Sequence, residues 1–199
     1  MQTKSDFVKV AMLSLLFGGL VLGRGVPGFA RDKYETIDAT AFGTSTQLGA
    51  NVGVTVIIYE FSTAADRQIL VEAFQKGQNQ GLVNALTKMK AVGRIQIPGT
   101  LGYDLSFIRL IQAPTGRTIR FVTNRKIQFG EAYFNTQSQA FDLTGGELQL
   151  NDQDKSKSTG VLYPAAQLVI NKDGELQIEL RENPWRLSNI IDWKGTSEN

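Results

Sequence analysis

The sequence predicts an α+β chain that is mainly β: an antiparallel curved sheet or barrel of about nine strands, with a two-helix insertion after the second strand. Three observations predict it. Short runs rich in Val, Ile, Thr and aromatic residues recur along the chain, separated by Gly, Pro and Asn turn signals. The apolar period switches from two to the helical 3.6 at one clear place, just after the second of these runs. No repeat, linker or low-complexity block divides the chain.

Residues 1–30 read as a secretory signal and not as part of the fold. Lys4 and Lys9 give a basic start, and Val10 to Leu22 is apolar but interrupted by Gly18 and Gly19. Gly28 and Ala30 place small residues at −3 and −1 of a cleavage site before Arg31. The apolar run is shorter than the ~20 residues a membrane-spanning helix needs. The chain has no Cys to carry a lipoprotein anchor, and no paired arginines mark a twin-arginine signal. The expectation is an exported protein, periplasmic or secreted: one β-rich domain over residues 31–194, a polar tail over 195–199, and no span left after cleavage.

Lys33 to Ser45 reads as the first strand, with a turn at Gln47-Leu48-Gly49. Asn51 to Phe61 (NVGVTVIIYEF) is apolar on both faces and suits a central strand. Ser62 and Thr63 offer a hydroxyl cap, and Asp66 puts negative charge in the first turn, where the helix dipole favours it. Leu70 and Phe74, beside Ala65, Ile69 and Ala73, form the stripe of a first helix ending at Lys76-Gly77. Asn79 opens a second, with Leu82, Leu86 and Met89 on one face. Neither is long enough to stand alone in water, so both are expected to lie on the sheet.

Val92 to Ile97 is strand-like and stops at Pro98-Gly99. Leu101 to Gln112 and Arg117 to Asn124 form the clearest hairpin, turned by Ala113-Pro114-Thr115-Gly116. Phe129 to Phe134 suggests a helical turn. Phe141 to Leu150 and Val161 to Ile170 are two more strands, with Pro164 marking an edge or a bulge in the second. Glu175 to Arg181 alternates strictly, and Trp185 to Trp193 is the last strand. The helical insert, the many charges and the polar ending argue against an outer-membrane barrel.

Composition excludes more chemistry than it suggests. The chain carries 21 basic and 19 acidic side chains. The leader holds Lys4, Lys9 and Arg24 against Asp6, so the remainder is formally neutral and its global charge gives no argument for nucleic acid or for an anionic membrane. With neither His nor Cys, Ser-His-Asp and Cys-His catalysis and the usual His/Cys zinc and copper sites are impossible. Gly145-Gly146 precedes no helix, so there is no phosphate-binding glycine loop, and no cofactor is implied.

Three constellations remain. Arg109, Arg117, Arg120, Arg125 and Lys126 occur with no acid between Asp104 and Glu131, a run able to hold carboxylate, phosphate or sulfate if the hairpin gathers it on one face. It competes with an ordinary hairpin whose charges are solvated or paired. Asp152 and Asp154 resemble the start of a calcium loop, yet Lys155 and Lys157 intervene, and Lys157 and Tyr163 stand where Gly and Glu belong. Asp104 and Glu131 are the carboxylates a histidine-free hydrolase could use.

The segments VTVIIYEFSTAADRQILVEAF, KMKAVGRIQIPGTLGYDLSFIR, TIRFVTNRKIQFGEAYF and LYPAAQLVINKDGELQIELRENPWRLSNI resemble a family of small exported bacterial proteins of unknown function. The resemblance runs from about Ile37 to Ile190 and implies secretion and a shared β-rich domain. It transfers no activity. Where that family reads TDRPI this chain has TNRKI, Thr123 to Ile127, which argues against a catalytic acid there. The expected function is a non-catalytic binding or accessory module of the cell envelope contacting an anionic ligand or surface. The alternative is a histidine-free, glycan-type hydrolase.

Overall fold

The structure, a computed structural model, describes residues 34–44, 50–125, 127, 143–173, 176–179 and 184–193. The signal, the turn over 47–49, the helical turn expected over 129–134, Lys126, Glu131 and the polar tail lie outside the described residues.

Among the described residues nine strands form: β1 (Glu35–Phe42), β2 (Asn51–Ile58), β3 (Gly93–Gln96), β4 (Tyr103–Ala113), β5 (Gly116–Thr123), β6 (Leu143–Asn151), β7 (Thr159–Ile170), β8 (Leu176–Glu179) and β9 (Trp185–Asp192). Every pairing is antiparallel. Sequential neighbours pair from β1 to β7; β9 then joins β7 back to β1, which closes an eight-stranded barrel. The ninth strand, β8, pairs with the far end of β7. Closure removes the free edges that an open antiparallel sheet would expose.

The period-two pattern fills the lumen. Ile37, Val56, Ile95, Leu105, Ile108, Ile119, Phe121, Leu148 and Leu162 are all essentially inaccessible and form one cluster down the axis. Gly146 makes room there: a Cβ would sit 2.2 Å from the Phe121 ring. The interior is therefore a packed core, as in other small barrels.

Two bulges decide which residues belong to that core. On β4 the register shifts between Leu105 and Phe107, so Leu105 and Ile108 both face in while Phe107 faces out beside Val122. On β9 it shifts opposite Asp38 and Thr40, and Asn189 takes a left-handed conformation (φ 52) that Asn tolerates better than most residues. Leu187 points inward before the bulge; Ile190 and Asp192 point inward after it. One extra residue flips the parity of everything beyond it.

Phe107, Val122, Leu143 and Leu168 form an apolar strip on the outer wall, covered by Leu70, Leu82 and Leu86 of the helical insert. The sequence predicts two helices here; the structure has one helical element, α1 (Ala64–Lys88), interrupted by non-helical backbone at Gly77 and Gln78. The break is where the glycine placed it. Its two arms fold against each other, so that a Cβ on Gly81 would lie 2.1 Å from the Ala73 carbonyl oxygen. Thr63 is the N-cap, in a capping box with Asp66. Ser62 instead ties the helix start to β4, its N–H donating to Ile108 O at 2.8 Å and its Oγ accepting from Ile108 N at 2.9 Å. Asn79 Oδ1 accepts from Leu168 N at 2.9 Å, which anchors the second arm to β7.

Candidate functional site

The hairpin of β4 and β5 forms as expected, with Ala113 opposite Gly116 across Pro114-Thr115. It does not gather its arginines on one face. Arg117 shares parity with Ile119 and Phe121 and turns into the barrel, where it is 3% exposed. Its Nη1 donates to Glu35 Oε2 at 3.0 Å, and its Nη2 donates to Glu35 Oε1 and, at 2.5 Å, to Asp192 Oδ2. Burial works against the charge, but the hydrogen bonds and field of the two carboxylates outweigh it and hold the guanidinium above its ordinary pKa. This is a buried trio and not a surface contact. Its Nε is buried without a partner among the described residues.

Arg125 lies beyond the end of β5, its guanidinium 5.0 Å above the Tyr103 ring. The bend that carries it is fixed by buried hydroxyls: Thr144 N donates to Thr123 Oγ1 at 3.0 Å, and Ile127 N donates to Thr144 Oγ1 at 2.6 Å. Arg109 and Arg120 do stay together, directly opposite each other on the outer wall.

The cross-strand register extends that pair into a row. Arg120 stands opposite Glu147, Glu147 opposite Val161, Val161 opposite Arg186, and Arg186 opposite Phe42. Since residues directly opposite point to the same face, one line of side chains runs across six of the eight barrel strands, β4 to β7, β9 and β1. Arg120 Nε donates to Glu147 Oε2 at 2.6 Å, and Gln149 Nε2 donates to Glu147 Oε1 at 2.8 Å. Burial would raise the Glu147 pKa, but these donors prevail and hold the carboxyl below its usual range. Arg186 is exposed and makes no hydrogen bond or ion pair among the described residues.

Beside this row is a groove of about 600 Å3, lined by Phe42, Glu147, Val161 and Arg186 with the Ser188 and Thr159 hydroxyl residues. It sits at a short seam of the barrel wall: β7 and β9 pair over Gly160 to Leu162 before β7 leaves for β8. Sequence reading missed Arg186, because nothing in the local pattern of β9 sets it beside residues 66 positions away; the Arg120–Arg186 row exists only through register.

The acids singled out in the sequence have other occupations. Asp104 pairs with Arg94, Oδ1 to Nη1 3.3 Å, on the outer wall; its proposed partner Glu131 is outside the described residues. Asp154 Oδ1 accepts from Ser156 N and Oγ and so caps a 3-10 turn over Lys155–Lys157. Lys157 lies 3.3 Å from its other oxygen, and together these partners hold the carboxyl below its usual range. Asp152 is exposed, its N–H donating to Thr115 O at 3.0 Å. Among the described residues no three His, Cys, Asp or Glu side chains converge as a metal site.

No family model, no curated protein and no solved structure matches this chain.

Proposed function

We propose that this chain is an exported, non-catalytic binding module whose outer barrel wall contacts an anionic ligand or surface of the cell envelope. The observation that carries the reading is the row Arg109–Arg120–Glu147–Val161–Arg186, which aligns three guanidiniums with one carboxylate beside an open groove. The packed lumen supports the wall as the contact face, since its axis is occupied by side chains. An apolar interior under a largely polar wall reverses the pattern of a membrane-spanning barrel, and among the described residues no helix is long and apolar enough to cross a membrane. Binding without turnover is supported by the absence of His and Cys and by the ion pairing of Glu35, Asp104, Glu147, Asp154 and Asp192. The N-terminal pattern of residues 1–30 supports export.

Vesicle flotation tests the reading. The protein is expected to float with phosphatidylglycerol vesicles and not with phosphatidylcholine vesicles, and to detach as salt screens the contact. An R120E/R186E variant that keeps the wild-type circular dichroism and melting temperature is expected to lose most of the binding. If that folded variant floats as wild type does, the row is not the contact surface.

A further inference from the structure

We infer that the groove between β1, β7 and β9 is a site for a single-chain amphiphile: an anionic head held by Arg186 and an apolar chain laid along Phe42 and Val161. The inference deepens the anionic reading above and rests on it. Arg186, Val161 and Phe42 are consecutive members of one cross-strand row, so the cation and the two apolar side chains are adjacent by register and not by chance rotamers. The charge at the site is unbalanced. Arg120 and Gln149 already engage both oxygens of Glu147, the one acid among the described residues that line the groove, which leaves the guanidinium of Arg186 as its surplus charge.

Apolar surface is available beside that charge. Phe42 is 38% exposed, whereas the other phenylalanines on described strands, Phe107 and Phe121, are buried. A volume of about 600 Å3 falls in the range of pockets that take small ligands. An inorganic anion would satisfy Arg186 and leave Phe42 wet; a neutral alkyl compound would do the reverse. An alkyl carboxylate or phosphate satisfies both, with Ser188 and Thr159 available as hydroxyl donors to the head.

Nitrogen-15 NMR titration of the purified full chain separates the possibilities, reading the amides of Val161 and Leu187. Octanoate is expected to shift them saturably, with affinity rising about two- to fourfold for each methylene added between four and eight carbons. Acetate and octyl glucoside are each expected to bind at least about tenfold more weakly than octanoate. F42A and V161E change outward-facing side chains, and both are expected to weaken octanoate while leaving the remaining amide spectrum in place. R186E is expected to abolish the response. A monomeric short-chain phosphatidylglycerol, run in parallel, distinguishes a lipid headgroup from a free acid as the source of the anion.

Acetate binding as tightly as octanoate would overturn the amphiphile site and leave the anionic reading intact. Octyl glucoside binding as tightly as octanoate would overturn the charge requirement. No shift with any of these compounds would eliminate the groove as a site, while the anionic reading would still be decided by flotation.

Discussion

Arg117 on β5 grips Glu35 on β1 from the opposite wall of the barrel, with three strands between them in either direction round the sheet. Strand tilt and stagger bring the start of β5 and the start of β1 to the same level, so one long side chain spans the lumen. Asp192, carried inward by the bulge at Asn189, completes the trio. A single guanidinium thus joins three strands, β1, β5 and β9, that include both ends of the barrel's chain path.

Removing that guanidinium should be costly. R117M leaves two carboxylates with Glu35 only 11% and Asp192 only 16% exposed at the side chain, and a loss of about 3–5 kcal/mol is expected. Replacing all three ionic groups together, R117M/E35M/D192L, is expected to recover most of it, because no uncompensated charge remains. Urea denaturation of the four proteins, counting E35Q/D192N as the fourth, checks both statements. Additive losses would mean that the trio is not a coupled unit.

Gly77 and Gly81 lie in the same helical element but should respond oppositely to Ala. At Gly77 a Cβ meets nothing within 4 Å, so G77A is expected to be neutral or slightly stabilising through the unfolded chain. At Gly81 the Cβ would strike Ala73 O at 2.1 Å and force the two arms apart. G81A is expected to destabilise by about 1–3 kcal/mol, although Ala is the better helix former. Thermal melts of the two variants side by side test this directly.

The capping box makes part of the helix stability acid-sensitive. Hydrogen bonds from the Thr63 hydroxyl and Thr63 N–H hold the Asp66 carboxyl below its ordinary value of 3.8. A lowered folded-state pKa contributes stability that is present above the unfolded value and is lost as pH falls through the folded one. The gap between wild type and D66N should therefore be open at neutral pH and close below 3.8. T63A, which loses the cap itself, is expected to cost about 1 kcal/mol at neutral pH. A D66N gap that does not change with pH would show that the carboxylate charge is not what caps the helix.

The elements were legible because each is written in local chemistry. Val54, Val56 and Ile58 alternate into the core, Gly77 breaks the helix, Thr63 and Asp66 cap it, and Pro114-Thr115 turns the hairpin, all where the residue types place them. The arginine run was legible only as a run. Its signal for burial was present in the parity of Arg117 with Ile119 and Phe121, set against Arg120 on the other face. A basic residue at an inward position is ambiguous until a partner acid is known, and Glu35 lies 82 residues away.

By itself, then, the sequence determined the strands, the helical insert, the hairpin turn and the lack of imidazole and thiol chemistry, since each depends on neighbours within a few residues. Only the tertiary structure decided that the sheet closes through β7, β9 and β1, that Arg117 crosses the lumen, and that Arg186 stands in line with Arg120 beside a groove. Those are matters of register between distant strands, and register is fixed by closure and by single-residue bulges such as Asn189, where one extra residue reverses the face of all that follow.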